Sequence, residues 1–246
     1  MRFHITGKAN FTLTIYSDPK RMGSRQTSIA KRRVASGSSR LAAHITALRP
    51  RQWTKNLVVF AAPLFAFSIN MHSLVGSLLS FVLFCCVSSG FYLVNDIADV
   101  ESDRQHPIKC KRPIAAGLVS LRVASLMAFV LLGSALIVAW LQSRPLGAVV
   151  TAYAVLQIAY NLRLKRMVIL DICAIATGFI LRAYAGAAAT SITLSSWFVL
   201  CTAMLALFLA IEKRKAELRL VRIKGTKPRA VLKRYGSFVH SMLNFH

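Results

Sequence analysis

The sequence predicts an all-α fold, a polytopic transmembrane helical bundle of about six spans. Three observations carry that prediction. No Asp, Glu, Lys or Arg occurs from Leu57 to Val94, and none from Ala183 to Ile211. Hydrophobic residues make up 55% of the 246 residues and charged residues only 16%, with a mean hydropathy of +0.53. The 32 Lys and Arg face only 8 Asp and Glu, a net charge of +24. A disordered polybasic chain would be poor in apolar residues, and a basic nucleic-acid binder would not carry such long uncharged runs. Apolar runs of ~20 residues are long enough to cross a bilayer.

The spans read in order as 56–71, 74–94, 121–142, 146–162, 167–188 and 193–211. The first is short and contains Pro63, so it predicts a kinked or tilted helix. The other five are longer apolar runs separated by polar or basic loops. Cys85, Cys86, Cys173 and Cys201 sit in apolar runs and Cys110 in a polar loop. No CxxC pair is present, so cysteine suggests neither a zinc site nor a redox motif.

The loops set the orientation. The segment before the first span holds 12 basic residues, Asn95 to Arg122 holds 5, the turn at Arg163, Lys165 and Arg166 holds 3, and the segment after Ile211 holds 10. The alternating loops hold only Arg144 between them. Both termini and both basic loops therefore face the cytoplasm. Attraction to anionic lipid adds a use for the charge, and no nucleic acid is needed to explain it. The chain divides into a basic arm over 1–43, a transmembrane domain over 44–220 and a basic tail over 221–246.

The acids are few enough to be informative. Asp96, Asp99, Glu101 and Asp103 crowd into NDIADVESD at the end of the second span. Asp96, Asp99 and Asp103 are spaced i, i+3, i+7, one face of a helix. Like charges so placed need an offset. One reading is Mg²⁺, whose hard oxygen ligands are one or two carboxylates plus substrate phosphates. Arg104, Lys109, Lys111 and Arg112 would then meet phosphate oxygens directly. The other reading is a solvated acidic helix end capped by its own Arg and Lys.

Two further polar sets end spans. Tyr160, Asn161, Arg163 and Lys165 follow the fourth span, and Asp171 and Arg182 lie within the fifth. Ionisable groups inside a membrane are costly, so Asp171 and Arg182 are expected to face a cavity or to be paired. Glu212, Lys213, Arg214 and Glu217 close the sixth span in EKRKAEL. Three polar sets on one side predict one cavity lined by all of them.

The string NDIADVESDRQHPIKCKRPIAAG fits the NDxxDxxxD signature of the UbiA superfamily of intramembrane prenyltransferases. Together with RPRQWTKN, YNLRLKRMVILDICAIATGFILRAYAGA and KRKAEL, it resembles that superfamily's polyprenyl-phosphate phosphoribosyltransferase branch. The resemblance runs from about Ala47 to Leu218. It implies a UbiA-like bundle, C-terminally short against the family's usual nine spans. It implies an Mg²⁺-dependent enzyme that moves 5-phosphoribosyl from phosphoribosyl diphosphate to a polyprenyl phosphate in the membrane. The product would be a lipid-linked arabinose-donor precursor for glycoconjugate or nodulation-factor arabinosylation. Aromatic prenyl transfer and a non-catalytic role are the alternatives.

Carried over by position, Asp96, Asp99 and Asp103 would hold the metal and Asn95 would orient the site. Arg104, Lys111 and Arg112 would bind phosphate, and Lys55 would approach the sugar or acceptor phosphate. Tyr160 and catalytic Lys165 would line the donor pocket, with Asp171 and Arg182 behind. Lys213, Arg214 and Glu217 stand where aromatic prenyltransferases have a second aspartate-rich motif, which favours the phosphoribosyl branch.

Overall fold

A computed structural model describes residues 40–224 of the chain. The predicted arm up to residue 39 and the tail beyond 224 lie outside the described residues. Among the described residues every regular element is helical. A helix that ends at residue 47 leads into a 3₁₀ segment, Pro50–Phe60, and directly into α1, Ala61–Phe65. Then come α2 (Met71–Ala98), α3 (Val100–Gln105), α4 (Leu121–Gln142), α5 (Arg144–Leu162), α6 (Val168–Thr190) and α7 (Ser196–Lys224). Five of these, α2 and α4 to α7, are long and apolar enough to cross a membrane. They correspond to the second to sixth predicted spans. The predicted tail boundary after residue 220 falls inside α7.

The first predicted span is corrected. Its first five residues, 56–60, complete a 3₁₀ segment, and it ends after five α-helical residues. At about 2.0 Å rise per residue the eleven 3₁₀ residues still reach roughly 22 Å. Arg49, in the left-handed region at φ 56°, starts the segment, and Pro50 occupies its first turn. Ala66 caps α1, and Phe67 at φ 51° turns the chain toward α2.

Local sequence explains the helix starts. Asn70 Oδ1 accepts from the Ser73 amide at 2.8 Å at the head of α2. Ser120 and Ser143 cap α4 and α5 in the same way, with Pro145 in the first turn of α5. Each such cap satisfies an amide that lacks an intrahelical partner, worth about 1 kcal/mol.

Helices α2 and α6 are the hub. Helix α2 packs on α4, α6 and the 3₁₀ segment, and α6 packs on α5 and α7 as well. Small residues let the backbones approach, as membrane helix interfaces require. A Cβ on Gly76 would stand 2.6 Å from the Ala189 carbonyl oxygen, and one on Gly186 would collide with the Val59 carbonyl. The core between them holds Val59, Phe84, Val87, Leu146, Val150 and Tyr153. A second core of Leu93, Ile114, Val119 and Ala124 anchors the basic loop after α3. Helices α4 and α7 present Leu126, Phe129, Ile137, Met204, Leu205 and Phe208 outward. In a spanning bundle that apolar surface faces lipid.

Candidate active site

A cavity of about 500 Å³ opens between the 3₁₀ segment, α2, α5, α6 and α7. The winding of the 3₁₀ segment builds its first wall. With three residues per turn, side chains three apart eclipse. Arg49, Gln52 and Lys55 therefore stand in one row, and all three line the cavity. Trp53, Asn56 and Val59 form the adjacent row and turn inward. Trp53 Nε1 donates to Ser89 Oγ at 3.0 Å, Asn56 is 1% exposed and Val59 is sealed. An α-helix would have rotated these rows apart.

The other walls are Ser88, Phe91, Tyr92 and Asn95 from α2, Gln157 and Tyr160 from α5, Ile175, Phe179 and Arg182 from α6, and Leu209, Ala210 and Lys213 from α7. Four lining residues are cations, Arg49, Lys55, Arg182 and Lys213, and none is acidic. Burial, and then the positive charges of Lys213 and Arg182, pull the Lys55 amine down from its ordinary 10.5 to about 8.

Arg182 sits deepest in α6 among these groups. Its Nε donates to Asn56 Oδ1 at 2.8 Å, Nη1 to the Gly178 carbonyl at 2.7 Å and Nη2 to Tyr153 Oη at 2.7 Å. The Tyr153 and Phe179 rings lie 4.8 and 5.5 Å from its guanidinium carbon. Every one of these partners is neutral.

Asp96 and Asp103 converge on one nitrogen, Arg112 Nη1, as side chains on one face would, while Asp99 sits at the break between two helices. Helix α2 stops at Ala98, and α3 starts afresh at Val100. Asp96 Oδ1 accepts from Arg49 at 2.6 Å and Arg112 at 3.1 Å. Asp103 Oδ2 accepts from the same Arg112 at 2.5 Å. Its Oδ1 is buried without a hydrogen bond among the described residues, with Lys109 Nζ at 3.5 Å. Asp96 and Asp103 are thus enclosed in an arginine clasp that ties the basic loop to the start of the 3₁₀ segment. Asp99, between the two helices, is exposed and has no side-chain partner among the described residues. Among the described residues no three Asp, Glu, His or Cys side chains group closely enough to hold a metal alone.

That arrangement fits Mg²⁺ in a reduced form. The ion accepts one carboxylate when substrate phosphates supply the rest of its shell. Asn95 lines the cavity, and Asp99, four residues or about one turn further on, is exposed beyond its lining. Asp99 is the available carboxylate there, whereas the charges of Asp96 and Asp103 are already neutralised.

The predicted residues separate into groups. Lys55, Asn95, Tyr160, Arg182 and Lys213 meet at the cavity. Asp171 is not behind Arg182 but buried against Arg214. Arg214 Nε and Nη2 reach Asp171 Oδ2 and Oδ1 at 2.6 and 2.7 Å, and Tyr160 Oη donates to Oδ1 at 2.9 Å. That bidentate pair fastens α7 to α6, so Arg214 and Asp171 support the wall instead of lining it. Arg112 is committed to the clasp, and Arg104 pairs with Glu101 at 2.9 Å on the surface. Lys111 is exposed on the turn Lys109–Lys111. Lys165, on the turn Leu164–Arg166, is half-buried and off the cavity wall. The Glu217 side chain lies outside the described residues.

Sequence reading missed Arg49, Gln52, Asn56, Tyr92, Tyr153 and Gln157. The first three lie in RPRQWTKN, so the motif marked their region, but only the 3₁₀ winding sorts them by direction. Tyr92 carries the Arg49 guanidinium over its ring at 4.8 Å. Gln157 donates to Tyr153 Oη at 2.6 Å.

Residues 56–224 match the family model of the UbiA prenyltransferase family. A decaprenyl-phosphate phosphoribosyltransferase from Mycolicibacterium smegmatis is 44% identical over 198 residues, which are 78% of this chain and 62% of that protein. The enzyme of the same description from Mycobacterium tuberculosis is 42% identical over 198 residues, 78% of this chain and 66% of that protein. The chain thus spans just under two thirds of the length of these relatives. A solved UbiA homolog from Archaeoglobus fulgidus bound to GPP and Mg²⁺ superposes with a TM-score of 0.65 at 21% identity, over 82% of this chain and 73% of that one. At that identity the likeness concerns the fold. The match over most of the chain, on a helical bundle of the same fold, makes this protein a member of the UbiA prenyltransferase family.

Proposed function

We propose that the chain transfers 5-phosphoribosyl from phosphoribosyl diphosphate to a polyprenyl phosphate held in the membrane. The observation that carries this reading is the cavity lining, four cations and no acid, with Lys213 on the α7 wall. Such a wall suits substrates that bring several phosphates and are not neutral aromatic acceptors. The 42–44% identity to decaprenyl-phosphate phosphoribosyltransferases supports it.

In the transfer, the bond from ribose C1 to the diphosphate oxygen breaks and its electron pair leaves with diphosphate. A phosphate oxygen of the acceptor forms the new bond to C1. Positive charge grows at the sugar and negative charge on the leaving group, so fixed cations aimed at the diphosphate lower the barrier. Bound Mg²⁺ supplies charge neutralisation on the diphosphate. Asp99, with Asn95 beside it, would hold that ion. Lys213 and Lys55 meet phosphate oxygens, and Arg49 is steadied for the same task by Asp96 and Tyr92. Tyr160 donates to Asp171 and closes the wall beside Lys213. The basic loops flank this end of the bundle, so the cavity opens to the cytoplasm of a bacterial inner membrane.

The test uses membranes containing the chain, labelled phosphoribosyl diphosphate, polyprenyl phosphate and Mg²⁺. Label is expected in the lipid fraction and absent with EDTA. A folded, inserted chain that leaves the lipid unlabelled, yet moves a prenyl group from prenyl diphosphate to an aromatic acceptor, would overturn the assignment.

A further inference from the structure

The cavity wall carries two kinds of polar group. Arg49, Lys55, Arg182 and Lys213 are cations, which suit phosphate oxygens because those oxygens accept hydrogen bonds. Gln157 is neutral, half-buried and on the same wall. Its amide is held from one side. Nε2 donates to Tyr153 Oη at 2.6 Å, and that oxygen also accepts from Arg182 Nη2 at 2.7 Å. Tyr153 is 1% exposed and part of the core, so the anchor is sealed. With Nε2 engaged, Oε1 is the amide atom left for a ligand, and it can only accept. Gln52, the neutral side chain on the 3₁₀ row, has no side-chain hydrogen bond among the described residues and lacks such an anchor.

Gln157 stands between two of the cations along α5. Four residues earlier, Tyr153 holds Arg182. Three residues later, Tyr160 closes the wall beside Lys213, whose neighbour Arg214 brings Nη2 to 3.5 Å from Tyr160 Oη. At 1.5 Å per residue these are offsets of about 6 and 4.5 Å along the helix axis. A pentose with a phosphate on C5 and a diphosphate on C1 carries its C2 and C3 hydroxyls between its charged ends. Cations on either side and a neutral acceptor between them match that order.

We propose that Gln157 is a specificity-determining residue, whose Oε1 accepts a hydrogen bond from a ring hydroxyl of the pentose, and that Tyr153 is the positioning residue that orients it. The assignment rests on the phosphoribosyl-transfer reading and adds to it the group that reads the sugar itself. A cationic wall by itself takes any ligand rich in phosphate. An anchored amide separates a ribosyl donor from one that lacks the hydroxyl, because the deoxy ligand leaves Oε1 unpaired in a site closed around it.

The test measures equilibrium binding of phosphoribosyl diphosphate and of its 2-deoxy and 3-deoxy analogues to the full chain in detergent, with Mg²⁺ and no lipid acceptor. The wild type is expected to bind one analogue at least about tenfold more weakly than the parent. Gln157→Leu should weaken the parent by that factor and leave the weaker analogue unchanged, so that the preference disappears. Gln157→Glu keeps an acceptor at the position and should keep the preference at lower overall affinity. Melting temperatures establish that the variants fold, and Gln157→Glu decides the matter if Gln157→Leu does not. Equal affinity of the wild type for all three ligands, a preference undiminished in folded Gln157→Leu, or one absent from folded Gln157→Glu would overturn the assignment. Labelling of polyprenyl phosphate by the same preparation separates the two readings. Chain that labels the lipid but shows no such preference overturns the role of Gln157 alone. Chain that shows the preference and its loss in Gln157→Leu but never labels lipid supports Gln157 and overturns the transfer reading. Folded chain that binds none of the three ligands overturns both.

Discussion

Arg49 Nη2 donates to Asp96 Oδ1 at 2.6 Å across 47 positions of sequence, and Arg112 reaches the same oxygen at 3.1 Å. One carboxylate thus positions a cavity cation and tethers the loop after α3. Asp96→Asn leaves Arg49 without its anion and Arg112 with Asp103 alone. Both arginine side chains are 28% exposed, so the cost is below that of a fully buried pair, about 2 kcal/mol. A lower melting temperature and a raised KM for the phosphorylated donor are expected. Steady-state kinetics on purified protein check the second.

The Asp171–Arg214 pair is more enclosed, with side chains 1% and 7% exposed. Arg214→Ala strands a carboxylate between α6 and α7 and should destabilise by about 3 to 5 kcal/mol. Asp171→Leu combined with Arg214→Met should recover most of that loss, because apolar packing replaces both charges. Thermal melting of the single and double variants measures the difference.

Gly186 has no room for a side chain, since a Cβ would collide with the Val59 carbonyl. Gly186→Ala should push the 3₁₀ segment off α6 at a cost of about 1 to 3 kcal/mol. The row bearing Gln52 and Lys55 moves with it, so phosphate affinity should fall together with the melting temperature. Gly133, whose Cβ would meet open space, is the control: Gly133→Ala should lower neither.

Burial, and then the charges of Lys213 and Arg182, hold the Lys55 amine near 8 instead of near 10.5. A bound anion favours its charged form, so above pH 8 binding takes up a proton. Affinity for ribose 5-phosphate should therefore fall as pH rises past 8, by at most about tenfold per unit. Lys55→Arg keeps its charge and should flatten the profile. Calorimetry in two buffers of different ionisation enthalpy measures the proton uptake. The lowered pKa also means that the unfolded chain holds more protons between about pH 8 and 10.5, so the ligand-free protein gains stability as pH rises through that window.

The long helices were legible because uncharged runs of that length have few other uses, and α4 ends where the sequence places it. The first span was not, because apolar content does not distinguish 3₁₀ from α winding. That winding decides which residues of RPRQWTKN face the cavity. The cavity cations Lys55, Arg182 and Lys213 stood out as charges at or within apolar runs. The roles of the acids did not. The i, i+3, i+7 spacing of Asp96, Asp99 and Asp103 assumes a continuous helix, and the helix restarts at Val100. Asp171 found its cation 43 positions away on α7, a partner that local spacing cannot show.

Asp99 tests this division of labour most directly. It is exposed and has no side-chain partner among the described residues, so Asp99→Asn should shift stability by no more than about 0.5 kcal/mol. With labelled phosphoribosyl diphosphate, polyprenyl phosphate and Mg²⁺, that variant should melt like the wild type and lose lipid labelling by at least about a hundredfold. Full labelling in Asp99→Asn would contradict the account, because the carboxylate available to the metal would then be irrelevant to transfer.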